Sequence, residues 1–110
     1  MAFRSAMSVE DLWLGEMRGT VVQGRSVVLV HVACGVRAFE DKCAHRGMRL
    51  SNGELCEDVL TCATHLWQYD ARTGRGLNPE TARLRRFPIR VVDGAIEVDV
   101  DADLVEQSEP

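Results

Sequence analysis

Two Cys–His pairs in the middle of the chain constrain its fold more than any other feature. Cys43-x-His45 and Cys62-x-x-His65 lie sixteen residues apart and take up two of the four cysteines and two of the three histidines in 110 residues. Donors a few residues apart converge from one tight loop, and two such loops close a four-donor shell. The chain therefore has to bring two separate loops to one place, and its other residues have to build a frame that does so.

That frame reads as all-β. Short runs rich in β-branched residues are punctuated by Gly turns, and helix-period patterns are nearly absent. Residues 19–22 and 26–32 flank a Gln23-Gly24-Arg25 turn, and Gly35 opens a third run over 36–39. Residues 89–92 and 95–98 flank Asp93-Gly94, a two-residue signal for a type I′ hairpin. Alternation places Ile96, Val98 and Val100 on one face of a half-buried strand. Ser8-Val-Glu-Asp11 has the form of a capping box opening one helical turn through Trp13. Residues 40–60 and 62–79 read instead as long, charged, Gly-containing loops, each holding one Cys–His pair. Loops of that length inside a compact domain are functional or disordered, and the paired donors favour function. The length accommodates a single domain, 1–110, with its cluster-binding loops at about 40–79.

Composition narrows the partners. The net charge of −4 argues against nucleic-acid binding as the main task. Acids and bases are segregated: residues 93–109 carry seven acids and no base, whereas 72–90 carry Arg72, Arg75, Arg83, Arg85, Arg86 and Arg90. Residues 1–7 lack the apolar stretch of a secretory leader, and the longest apolar run, 27–34, is interrupted by His31 and too short to span a bilayer. The expectation is a cytoplasmic protein with no membrane partner, monomeric when free. In that compartment cysteines read as metal ligands or packed thiols rather than a disulfide framework.

Three readings of the paired donors compete. Chance juxtaposition is one, although satisfied lone residues rarely pair twice. A structural Cys₂His₂ zinc site in a binding module is the second. Familiar zinc spacings group Cys with Cys and His with His, whereas each loop here supplies one of each. The third is a [2Fe–2S] cluster of the kind in which two cysteines bind one iron and two histidines the other, an arrangement that mixed loops suit.

At these residues, Cys43-Ala-His45-Arg-Gly47 and Cys62-Ala-Thr-His65-Leu-Trp-Gln-Tyr69-Asp-Ala-Arg-Thr-Gly74, the chain resembles the Rieske ferredoxins. Asp11-Leu-Trp-Leu-Gly-Glu-Met17 and Thr73-Gly-Arg-Gly-Leu-Asn-Pro79 are similar to the ferredoxin components of bacterial four-component toluene, alkene and isoprene monooxygenases. The resemblance implies a Rieske fold of three antiparallel sheets with a small cluster-binding subdomain. It implies a [2Fe–2S] cofactor, with Cys43 and Cys62 on the inner iron and His45 and His65 on the outer one. It also implies the partners: an NADH-dependent flavoprotein reductase as electron donor and a diiron hydroxylase as acceptor. A ferredoxin of an aromatic-ring dioxygenase, or the small subunit of a nitrite reductase, would share the site.

The departures are informative. Respiratory Rieske proteins carry an extra Cys in each cluster loop, and neither loop here supplies one; Trp67 stands where those proteins place a hydroxyl toward a cluster sulfide. Fewer hydrogen bonds to sulfur leave the reduced cluster less stabilised, so the expected potential lies toward the lower end of the Rieske range. No nucleophile with a base and no dinucleotide fingerprint is evident, so the expected role is electron carriage rather than catalysis. Of the remaining residues, Cys34 and Cys56 are expected as buried or semi-buried thiols, His31 and Trp13 as core, and Trp67 and Tyr69 as packing beside the cluster loops. Gly47, Gly53, Gly74 and Gly76 are expected in positive-φ turns. Lys42, Arg46 and Arg49 border the first ligand loop.

Overall fold

A computed structural model describes residues 3–42, 49–63, 67–78, 80 and 82–102. Short strands dominate: β1 (Arg4–Ser8), β2 (Met17–Val22), β3 (Arg25–Val32), β4 (Gly35–Glu40), β5 (Glu54–Cys56), β6 (Val59–Thr61), β7 (Gln68–Asp70), β8 (Gly76–Asn78), β9 (Arg86–Phe87), β10 (Ile89–Val92) and β11 (Ala95–Val98). They form three antiparallel sheets, ordered β1-β11-β10, β2-β3-β4-β9 and β5-β6-β7-β8. The all-β class and the three-sheet architecture expected from the sequence are both present. Among the described residues, no helix is long and apolar enough to cross a membrane.

Strand β3 explains how three sheets stack around two cores. Side chains alternate across a strand, so a strand covered on both faces must be apolar at successive positions. Val27, Val28, Leu29 and Val30 are all fully buried. Val28, Val30 and Val32 face a core shared with Leu50, Leu60, Cys62 and Tyr69, on the side of the β5–β8 sheet. Val27 and Leu29 face a second core with Leu12, Phe87, Ile96, Val98 and Val100, on the side of the β1-β11-β10 sheet. The four-stranded β2–β9 sheet is thus the middle layer. Each such fully buried aliphatic side chain contributes roughly 1.5–3 kcal/mol relative to exposure.

Both expected turns form, the first over two residues rather than three because Arg25 already belongs to β3. Gln23-Gly24 joins β2 to β3 with φ of 51° and 80°, and Asp93-Gly94 joins β10 to β11 with φ of 51° and 80°. Positive φ at both central positions is what a type I′ turn requires, and its twist matches the flanking strands. The capping residue is also as expected: Ser8 Oγ accepts from the Glu10 N–H at 3.2 Å. The turn is a 3₁₀ one that ends at Asp11 rather than continuing through Trp13.

Several expectations need correction. The stretches 40–60 and 62–79 contain all of the third sheet but Thr61, and its three-residue strands are too short to show alternation. Trp13 is 71% exposed, with the adjacent Leu12 taking the core position. Its indole N–H donates to the Glu10 carbonyl at 2.9 Å and its backbone N–H to Glu16 Oε1 at 2.8 Å. Cys34 and Cys56 are exposed rather than packed, because Cys34 lies in the β3–β4 turn and Cys56 ends β5 at a hairpin turn. His31 is half-buried, its Nδ1 held at 3.0 Å from the Leu12 carbonyl. Of the described glycines expected near the site, only Gly74 has a positive φ, +87°; Gly53 has φ −89° and Gly76 lies in β8. Gly47 lies outside the described residues.

Candidate metal centre

Cys62 is the ligand candidate that the described residues contain; Cys43, His45 and His65 lie outside them. For that reason no cluster of three or more potential metal ligands occurs among the described residues. Cys62 follows directly on β6, is 1% exposed, and belongs to the core between the middle and third sheets. Its backbone N–H donates to the Trp67 carbonyl at 2.8 Å, which closes the second loop at its root. The register continues from there: Thr61 pairs with Gln68, and Leu60 with Tyr69. Tyr69 is fully buried and Trp67 packs on the same core, as expected from the sequence. The second loop is therefore a hairpin loop carried on the β6–β7 ladder.

The root of the first loop is built differently. Asp41 follows β4, and its N–H donates to the Ser26 carbonyl at 3.0 Å, which ties the entry to β3. The exit is a 3₁₀ turn, Leu50–Asn52, anchored by the fully buried Leu50. Entry and exit are joined by the Asp41 carboxylate, which accepts from the Ser51 N–H at 2.8 Å and the Ser51 hydroxyl at 2.6 Å. The two ends of the span that carries Cys43 and His45 are thereby tied to each other. Sequence reasoning singled out neither Asp41 nor Ser51, since both look like ordinary loop residues.

Gly53 then brings the two roots together. A Cβ at this position would overlap the Thr61 carbonyl and stand 3.2 Å from the Ala63 nitrogen. Only glycine allows the exit of the first loop to lie directly on the entry of the second, which is a reason of space rather than of φ. A cavity of about 260 Å³ beside this contact is lined by Asn52, Gly53, Glu54, Thr61, Cys62 and Ala63. The donor chemistry fits an iron–sulfur cluster: a soft thiolate donor in a dry setting, at the root of one loop and in contact with the root of the other. Exposed Cys34 and Cys56 lie outside this arrangement.

Away from the loops, the turn after β7 carries the clearest electrostatic feature. The Asp70 carboxylate accepts from Arg72 Nε and Nη2, both at 3.0 Å, and from the Arg72 N–H at 2.9 Å. Burial acts to raise the Asp70 pKa. The hydrogen bonds and charge of Arg72, with the charge of Arg75, outweigh burial and hold it below the usual 3.8.

Comparison with known proteins gives this geometry a family. Residues 3–88 match the Rieske [2Fe-2S] domain. The ferredoxin component of the alkene monooxygenase system of Xanthobacter autotrophicus is 36% identical over 95 residues, covering 86% of this chain and 78% of that protein. The ferredoxin component of the naphthalene 1,2-dioxygenase system of Pseudomonas putida is 26% identical over 96 residues, covering 86% and 92% respectively. The ferredoxin of carbazole 1,9a-dioxygenase from Nocardioides aromaticivorans shares the fold, with a TM-score of 0.80 over 89% of this chain and 97% of that one at 23% identity. Two mixed Cys–His loops, rooted side by side on a three-sheet frame, are thus those of a chain that belongs to the Rieske [2Fe-2S] domain family and takes a [2Fe–2S] cluster rather than zinc.

Proposed function

We propose that this chain, as one Rieske domain spanning 1–110, carries single electrons from an NADH-dependent flavoprotein reductase to the diiron hydroxylase of a multicomponent monooxygenase. Cys43 and Cys62 would hold the inner iron of the cluster, and His45 and His65 the outer one. When bound, the cluster supplies reversible one-electron exchange. The protein's part is to hold the donors, keep water from the buried Cys62 side and present the loops to a partner. The observation that carries this reading is the 36% identity with the alkene monooxygenase ferredoxin component across 86% of the chain. Redox encounters of this kind are transient and small in area, which suits a carrier that is monomeric when free and works in the cytoplasm without nucleic acid or membrane.

A second reading, service to an aromatic-ring dioxygenase, is supported by the naphthalene dioxygenase relative, 92% of which is covered. Anaerobic rapid mixing separates the two. The reduced holoprotein is expected to be reoxidised by a diiron hydroxylase, with NADH consumption once the reductase is added. Reoxidation by a ring-hydroxylating dioxygenase alone would favour the second reading, and reoxidation by neither would contradict both.

A further inference from the structure

The described part of the chain buries two carboxylates, Asp41 and Asp99, at 3% and 1% exposure. Asp99 accepts from the Asp101 N–H at 3.0 Å and serves the turn after β11. Among the described residues Asp41 has no such local task. Its acceptor contacts among the described residues run to Ser51, ten residues away, across the span that contains Cys43 and His45. The neighbouring strand is shaped around this pair. A Cβ on Gly19 of β2 would stand 2.8 Å from Ser51 Oγ and 2.9 Å from Asp41 Oδ2. Gly19 has no positive φ to explain it, and any side chain there would have to displace the Asp41–Ser51 pair. Burying a carboxylate is costly unless it is hydrogen-bonded, and here both oxygens are engaged by one residue.

We infer that Asp41 and Ser51, seated on Gly19, form a clasp that positions the first ligand loop for cluster binding. Asp41 is a positioning residue acting through residues 42–50, and the inference rests on the assignment of Cys43 and His45 as ligands. A direct bond between entry and exit fixes the distance between the loop's ends independently of the side chains within it. The exit of that span is in turn seated on the root of the second loop through Gly53. Groups that orient metal ligands from behind typically cost about 10–100-fold in affinity when removed.

The test compares Asp41→Ala, Asp41→Asn and Ser51→Ala in the holoprotein. Asparagine keeps an acceptor for the Ser51 N–H and can donate to the Ser51 hydroxyl, so it preserves the clasp without its charge. The readouts are the rate of cluster loss, followed as visible absorbance in chelator, the g-values of the reduced cluster, and the thermal stability of the apoprotein. Asp41→Ala is expected to lose its cluster about tenfold faster with displaced g-values, and Asp41→Asn to stay close to wild type. Ser51→Ala, which keeps the backbone bond and loses the hydroxyl, is expected to fall between them and stands in if Asp41→Ala does not fold. Wild-type cluster retention and g-values in Asp41→Ala and Ser51→Ala would overturn the clasp. So would loss of apoprotein stability with unmoved g-values, which is what a merely structural role gives. Failure of the ligand assignment is separate, since it would show in the wild-type spectrum itself.

Discussion

The backbone N–H of Cys62 donates to the carbonyl of Trp67 at 2.8 Å, and this one bond ties the two ends of the second candidate loop at the β6–β7 ladder. A cysteine at the end of a strand in a packed core has its thiol direction fixed by the strand. The three cysteines the structure describes should therefore separate cleanly. Cys62→Ser is expected to abolish cluster incorporation, measured as iron and sulfide content. Cys34→Ser and Cys56→Ser, at exposed hairpin ends, should leave both unchanged and shift stability by less than about 0.5 kcal/mol.

Gly53→Ala tests the contact between the loop roots. The added methyl would overlap the Thr61 carbonyl, so backbone on one side has to move. Overpacking of this kind costs about 1–3 kcal/mol. The expected result is a lowered unfolding midpoint and reduced cluster content together, whereas Gly24→Ala, with nothing within 4 Å of its Cβ, should cost stability through its φ of +80° and spare the cluster. Iron content against urea midpoint for the two variants decides it.

Leu60 joins the third sheet to the middle one and is fully buried. Leu60→Ala should destabilise by about 2–5 kcal/mol through lost burial and the cavity left behind. Chemical denaturation of the apoprotein measures this directly.

Asp70 gives the acid side of the stability profile. Its folded pKa lies below the unfolded value of 3.8, so its contribution is present above that value and is lost as pH falls through the folded one. Urea midpoints should therefore decline on acidification below about pH 4, and Arg72→Ala should flatten that decline.

The reduction potential should lie toward roughly −150 mV rather than +300 mV, since Trp67 supplies no hydroxyl and neither loop sequence adds a cysteine pair. A redox titration returning a value near the upper limit would contradict this.

The sheets and the donors were legible in the sequence to different degrees, for physical reasons. The Asp93-Gly94 turn announces itself because positive φ at consecutive positions favours such a pair, whereas at Gln23-Gly24 only the glycine carries the signal. The run 26–32 reads as a strand from its β-branched residues, whereas the burial of both its faces emerges only in the structure. The third sheet was hidden, since strands of three residues carry no period. Trp13 was misplaced because an aromatic beside a buried leucine looks like core until the turn shows which of the two faces inward. The ligand candidates stood out by pairing, but Asp41, Ser51 and Gly19 did not, because a contact between residues ten and more positions apart leaves no local pattern.

The central claim is that two cysteines and two histidines share one [2Fe–2S] cluster. Electron paramagnetic resonance of the reduced protein, with nitrogen couplings resolved by a pulsed experiment, tests it most directly. The account predicts a rhombic Rieske signal with two coordinated imidazole nitrogens, lost in Cys62→Ser. A signal of an all-thiolate cluster, or no iron signal in anaerobically prepared protein, would contradict it.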